Sequence, residues 1–363
     1  MLKSFSDADV RALGQRWPMP AEPRPIVIVG AGEIVAQAHL PAYRKAGWPV
    51  AGIFDLERDK ARPLAAQFGI ATVYQSFADA LAVPNAVVDV AVPPAALPAV
   101  VEALPRGTSV IMQKPMGCNF EEASRILHVC RARNLTAAVN LQLRFGPAFL
   151  ALREAIAAGM LGELVDLEVR LSCHTPWEDW GADNRELEFI EMTTHSIHYI
   201  SWIRSVLGDP TAAYARSVRD PRFPEASDCR TSAILDYGDT VRCCLSLNHT
   251  NHTGPVHRQA RITLMGTRGG AILDIGLMLN YPTDAPDRLE IATEGVAWTE
   301  VPLQGRWYPD AFLGIMAHMQ RYLGGEDETL TISAEDAIRT MAVVEACRRS
   351  DAAGGTPLPE IAA

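Results

Sequence analysis

Three groups of residues in this chain have types and spacings suited to chemistry. The first lies in FIEMTTHSIHYI (189–200), where Glu191, His195 and His198 follow one another at intervals of four and three. On an α-helix that spacing puts all three on one face. Phe189, Ile190, Ile197 and Ile200 surround them with apolar bulk. Two histidines and a carboxylate so placed can bind a metal, move protons for a substrate, or form a hydrogen-bonded structural set. Left buried and unpaired, each would cost about 1–3 kcal/mol. The metal reading is the weakest. Zinc-protease helices space their histidines four apart with a glutamate between, and this helix does not. Another pair, His249 and His252, has no carboxylate close by in sequence. No metal is therefore expected.

The second group is GAGEIV (30–35), directly after the β-branched run IVIVG. Gly30 and Gly32 fill the first two positions of G-x-G-x-x-G, and Val35 replaces the third glycine. In a dinucleotide-binding loop the first glycine makes the tight turn and the second lets the pyrophosphate approach the backbone. The third serves helix–strand packing, so its loss is the most tolerable. Asp55 ends the next apolar run, near the distance of about 20 residues expected of a ribose-binding carboxylate. An acid there repels a 2′-phosphate and favours NAD over NADP, although Arg58 is close enough to weaken the preference.

The third group is Gln113, Lys114 and Pro115 in SVIMQKPMG. They follow a strand-like run, at the sheet edge where open α/β folds bind ligands. A lysine held there beside a nicotinamide has its pKa lowered by burial and by the cationic ring, toward a value useful in proton transfer. Gln142 and Arg144 follow the last strand of the same series and are expected to face the cleft.

The elements that must position these residues can be read from periodicity. Short apolar runs (26–30, 50–55, 86–92, 109–113, 135–140) alternate with helical stretches, which predicts a parallel, doubly wound sheet covered on both faces. After about residue 150, strand patterns follow one another without intervening helices: LVDLEVRLSC, AAYARSV, RTSAILDY, TVRCCLSLNH, ARITLMG, GGAILDI and RLEIAT. That predicts an antiparallel sheet. Helices are expected over 147–158, 187–207, 310–324 and 333–350. The fold class is thus α/β, a Rossmann sheet followed by an α+β part with an open, mostly antiparallel sheet. The expected division is an arm and linker (1–24, with a capped helix from Ser6 or Asp7 through Trp17), an NAD-binding region (25–145) and a substrate and oligomerisation region (146–355). Trp307 and Tyr308 are expected in the core, and Cys243 and Cys244 on opposite faces of a strand.

Composition agrees with this reading. The 363 residues carry a formal net charge of −10 and 48% hydrophobic content, with no basic block. A nucleic-acid surface is not expected, and no apolar run approaches the ~18 residues of a membrane span. Seven cysteines without CxxC spacing, and no apolar signal core, point to a reduced, cytoplasmic chain.

In order and spacing, GAGEIVAQAH, Asp55, the Lys114-Pro115 pair and Glu191-x-x-x-His195-x-x-His198 resemble the glucose–fructose oxidoreductase / inositol dehydrogenase (Gfo/Idh/MocA) family over about residues 25–350. The resemblance implies NAD(P)-dependent oxidation or reduction of sugars, cyclitols or related polyols, and a homodimer or homotetramer built through the second sheet. It places Gly30, Gly32, Glu33, Ile34, Asp55, Arg58, Pro93, Gln113, Lys114 and Gln142 against the cofactor. Lys114, His195 and Glu191 become the catalytic set, with His198, Arg144, Trp177 and Trp180 toward substrate. The chain departs from the family pattern at Gln113, where a glutamate is usual, at Glu191 for aspartate, at Thr193 for glycine, and at Leu97, where a histidine is common. His195 is the expected base for the hydroxyl proton, with Lys114 bonded to the same oxygen. An NAD-dependent glycosidase with no net redox change, or a nucleotide-binding sensor without catalysis, would use the same fold.

Overall fold

The structure is a computed structural model that describes residues 4–176, 187–223, 228–279 and 285–359. Trp177 and Trp180 lie outside the described residues. The first sheet contains β1 (Ile26–Val29), β2 (Val50–Phe54), β3 (Val87–Val90), β4 (Ser109–Met112) and β5 (Thr136–Val139), in the order β2-β1-β3-β4-β5. All its pairings are parallel. A parallel bridge from Ile53 to Val73 adds a rudimentary strand beyond β2. The order reverses between β1 and β3, the switch point at which such sheets bind ligands.

Alternate residues of these strands face two packed layers. Val27, Val29, Val88 and Val90 pack with Leu97, Val101 and Ile126 of the flanking helices Leu97–Ala103 and Phe120–Ala132. Ile26, Ile28 and Val87 pack with Phe312, Ile315 and Met316. These last three belong to the helix Trp307–Leu323, so a segment late in the chain covers one face of the first sheet. Both faces being dry explains why the strands read as continuous apolar runs.

The second sheet has eight strands, ordered β13-β12-β11-β10-β6-β9-β8-β7. They are β6 (Leu164–Ser172), β7 (Ala212–Val218), β8 (Arg230–Asp236), β9 (Arg242–Asn248), β10 (Gln259–Gly266), β11 (Gly269–Asp274), β12 (Arg288–Thr293) and β13 (Val296–Val301). Every pairing is antiparallel except β6 with β9. One face buries Leu167, Val169, Leu245, Ile262 and their neighbours under the helices Pro147–Ala157 and Ile197–Leu207. The other face stays open. Cys243 is buried and Cys244 half-buried, as alternation requires.

Three local features differ from expectation. Strand β13 was not anticipated, because a register irregularity between Ile291 and Thr293 interrupts the alternation around its hairpin. The first helix, capped by Ser6 in a reciprocal box with Asp9, runs only Asp7–Arg11. The expected long helix 187–207 is a π-helical turn, Met192–Ser196, followed by the α-helix Ile197–Leu207. The arm then lies along the body of the molecule. Trp17 meets Phe145 and His318 edge-on at 4.9 and 4.7 Å, and the Arg153 guanidinium stacks 4.6 Å above its ring.

Among the described residues no helix is long and apolar enough to cross a membrane.

A cluster of ion pairs fixes the helix Ile197–Leu207 to the first sheet. Arg204, nearly buried, bonds Asp209 at 2.6 Å, Thr340 Oγ1 at 2.7 Å, and both the side chain and the carbonyl of Asp336. Arg144 reaches the other oxygen of Asp336 at 2.8 Å and the Thr331 carbonyl at 3.0 Å. Removing one partner of such a set strands the others. Arg204→Ala is expected to destabilise the protein by about 3–5 kcal/mol, measured as the shift in denaturant midpoint; a loss below about 1 kcal/mol would show that the helix is held by packing alone.

Candidate active site

The loop after β1 is shaped by its glycines. Gly30 has φ +105°, and a Cβ there would sit 2.2 Å from the Ala91 carbonyl oxygen, so only glycine fits. At Gly32 a Cβ would meet nothing within 4 Å, which leaves open space beside the backbone. Asp55 accepts hydrogen bonds from the Ala31 and Glu57 amides, both at 2.7 Å. Each carboxylate oxygen keeps a lone pair for a further donor. Arg58 is turned toward Gln75 at 3.0 Å. Glu33 is exposed and bonded to Gln37, and Ile34 is half-buried at the head of the π-helical turn Val35–His39. Pro93 is exposed and precedes the 3-10 turn Pro94–Ala96.

Among the described residues, two side-chain amides at the carboxyl ends of neighbouring strands have buried polar atoms without partners. Gln113 Oε1 follows β4, and both polar atoms of the Gln142 amide follow β5. Gln142 is fully buried. Orphaned amides cost about 1–3 kcal/mol each, so they are natural places for a polar ligand to bond. With the open cradle at Gly32 and the partly satisfied Asp55, the residues present fit a dinucleotide.

Lys114 extends from the end of β4 and donates to the Thr194 carbonyl at 2.6 Å. This contact joins the first sheet to the residue before His195. Burial pulls the pKa of Lys114 down to about 8. His195 keeps part of its surface open. Its pKa lies well below the ordinary imidazole value because of desolvation, then the charges of His249, Lys114 and His198. His198 is also depressed, by burial and by Lys114. Its Nδ1 has no partner among the described residues, and its ring meets Trp307 edge-on at 6.0 Å. At neutral pH both imidazoles are uncharged acceptors beside a lysine that can give up its proton.

Two expected site residues are placed elsewhere. Glu191 was expected beside His195 and the substrate, on the premise of α-helical spacing. The π-helical turn adds a residue, so the side chain that stands over Glu191 is Ser196, five positions on, whose hydroxyl donates to Glu191 Oε1. The carboxylate is fully buried, and the same oxygen lies 3.4 Å from His249 Nε2. It therefore belongs to the layer behind His195. Arg144 was expected toward substrate. Its guanidinium is committed to Asp336 and the Thr331 carbonyl, so it ties the first sheet to the C-terminal helix Ala334–Ala353.

His249 is the site residue that sequence reasoning missed. Its ring stacks on His195 with centroids 4.2 Å apart and planes 16° apart. The parallel pairing of β6 and β9 accounts for its surroundings. Both strands end at the same edge, with Ser172 opposite Asn248, so Cys173 and Thr175 meet His249. Thr175 Oγ1 lies 2.9 Å and Cys173 Sγ 3.6 Å from His249 Nδ1. Burial opposes a charged His249, but Cys173 and Glu191 outweigh it and push its pKa up to about 10. His252, its apparent partner in sequence, stacks on Phe223 instead, at 5.0 Å.

A cavity of about 320 Å³ opens nearby, between Ala95, Cys118, Phe189, Thr193 and Val344. Neither Lys114 nor His195 lines it, although Thr193, close to both in the fold, does.

Comparison with known proteins places both halves of the chain in one family. Residues 24–141 match the model of an oxidoreductase family described as NAD-binding Rossmann fold, and residues 153–359 match its C-terminal alpha/beta domain. D-apiose dehydrogenase of Paraburkholderia graminis is 24% identical over 343 residues, covering 91% of this chain and 88% of that protein. D-xylose 1-dehydrogenase (NADP(+)) 2 of Haloferax volcanii is 25% identical over 287 residues, covering 75% of this chain and 82% of that protein. Among solved structures, an oxidoreductase from Agrobacterium radiobacter in complex with NAD+, L-tartaric acid and magnesium superposes with a TM-score of 0.75 at 21% identity, covering 91% of this chain and 97% of the other. With both halves of the chain matched in order, this protein belongs to the Gfo/Idh/MocA oxidoreductase family.

Proposed function

We propose that the protein is an NAD-dependent dehydrogenase that oxidises a secondary alcohol of a sugar, cyclitol or related polyol, or reduces the corresponding ketone. The observation that carries this reading is the contact of Lys114 with the Thr194 carbonyl, which sets a desolvated amine beside a neutral His195. The sugar dehydrogenases among its relatives support the substrate class. Asp55 and the orientation of Arg58 toward Gln75 favour NAD over NADP.

Gly30, Gly32 and Asp55 would hold the pyrophosphate and ribose end of the cofactor, and Gln113 and Gln142 the nicotinamide end. A bound nicotinamide supplies or accepts the hydride. The chain itself handles the proton. In oxidation His195 accepts the hydroxyl proton, and protonated Lys114 donates a hydrogen bond to the same oxygen as charge develops on it. In reduction Lys114 polarises the carbonyl, and His195 returns the proton. His198, with a free ring nitrogen, offers a bond to an adjacent hydroxyl.

The open face of the second sheet carries Tyr214 opposite Ile234, with Val218 exposed on β7 and Met265 exposed three strands from β8. Cross-strand ion pairs such as Arg261–Asp274 interleave with them. We assign this face to a homodimer or homotetramer contact. Ile234→Asp should reduce the mass seen by light scattering, and a wild-type monomer at micromolar concentration would refute the assignment.

The direct test of function is a panel of aldoses and cyclitols offered with NAD and, separately, with NADP. NADH should accumulate with at least one of them, faster than NADPH; glycoside cleavage without NADH would indicate the non-redox alternative. With a substrate in hand, Lys114→Met should lower kcat by about 10²–10⁴-fold and leave NAD binding intact. Lys114 works as a donor only when protonated, so wild-type activity should fall as pH rises through about 8. Lys114→Arg, which keeps its proton, should move that limb to higher pH.

A further inference from the structure

We propose that His249, held by Glu191 and stacked beneath His195, is a positioning residue that orients the His195 ring and keeps it free of its proton. Three observations on the geometry support this. The two rings lie face to face at 4.2 Å and 16°, a separation that fixes the plane of His195. His249 Nδ1 is held by Thr175 Oγ1 at 2.9 Å and Cys173 Sγ at 3.6 Å, and its Nε2 faces Glu191 Oε1 at 3.4 Å, so both edges of the ring are confined. Glu191 is fully buried, and its Oε1 faces both Ser196 and His249, while its Oε2 has no partner. A buried carboxylate in that position favours the doubly protonated ring.

A cation stacked on one face of an imidazole disfavours a second positive charge there. Among the described residues, the titratable groups facing His195 are Lys114 from the end of β4, His198 from the helix Ile197–Leu207, and His249 from the end of β9. Those facing His249 are Glu191, Cys173 and His195. The directions of the shifts agree: His249 is raised and His195 lowered, with His249 the largest charge acting on it. Cys173 and Glu191 thus influence His195 through His249, by favouring the charged form of the lower ring. This role rests on the reading of His195 as the proton acceptor, but it concerns a property of the ring that exists without substrate.

The test is a histidine NMR titration of the full chain with NAD present, using protein labelled in its imidazole rings. The His195 signal is identified as the one lost in His195→Asn. In wild type, His249 should remain an imidazolium through pH 8 while His195 is neutral at pH 7; a neutral His249 at pH 7 overturns the proposal, and this arm needs no variant at the pair. His249→Phe keeps a stacked ring without the charge, and His249→Gln removes both ring and charge. In either folded variant the His195 midpoint should rise by about one pH unit or more, and the acid limb of kcat/KM should move up with it. An unmoved midpoint in a folded variant refutes the proposal. Full activity of His195→Asn would instead refute the role of His195 as base, so the two ideas fail on different measurements.

Discussion

The arrangement of the site depends on one shared carboxylate. Asp336 is held by Arg144, just past the last strand of the Rossmann sheet, and by Arg204, on the helix that follows His195 and carries His198. Lys114 and Thr194, the residue before His195, lie 80 positions apart in the chain, and their contact needs the two parts of the fold in a fixed relation. Packing alone allows small sliding between a sheet and a helix layer. Ion pairs at both oxygens of one carboxylate, one of them hydrogen-bonded, resist it. Because the guanidinium groups are largely removed from solvent, these bonds are also poorly screened. The helix Trp307–Leu323 adds to the constraint by covering one face of the first sheet, with Lys45 paired to Asp310 across the contact. The arm residue Trp17 then packs against the same helix through His318.

Within that frame, two π-helical turns set the local geometry. One follows the glycine loop, at Val35–His39, and the other contains His195. A π turn inserts a residue and widens the helix, which shifts the face on which later side chains appear. At Met192–Ser196 this separates Glu191 from His195 and brings Thr194 O within reach of Lys114. Thr194 strengthens the local distortion by bonding its hydroxyl back to the Ile190 carbonyl.

Much of the fold could be read from periodicity, because dry parallel strands leave continuous apolar runs and half-exposed antiparallel ones leave alternation. Gly30, Gly32, Asp55, Lys114 and His195 stood out for a similar reason: each is a residue type whose chemistry or backbone freedom is unusual at its position. What stayed hidden depended on distance along the chain. The parallel pairing of β6 with β9 brings Cys173 to His249, and nothing local in either strand specifies that register. The carboxylate companion that His249 lacked in sequence is Glu191, 58 positions earlier. The π turn hid in the same way. The spacing of Glu191, His195 and His198 reads as an ordinary helical face, and only the tertiary contacts reveal the extra residue. Arg144 was misjudged because its position at a strand end suggested the cleft, while its partner Asp336 lies near the far end of the chain.

The distribution of charge follows from these placements. Lys114, His195, His198 and His249 form a group of four nitrogen bases, and a buried group of that kind cannot all be protonated. Among the described residues, the carboxylate that faces this group is Glu191, set against His249, so the positive charge it stabilises is confined to the rear of the group. The front is then left with neutral imidazoles and a lysine whose pKa is lowered to about 8. Gln113 contributes to the same result. Where the family pattern usually has a glutamate, its neutral amide adds no negative charge beside Lys114, so nothing there offsets the desolvation that brings the lysine down to about 8. The group thus sets a lysine lowered to about 8 beside imidazoles held neutral, a donor and an acceptor of the kinds proton transfer uses.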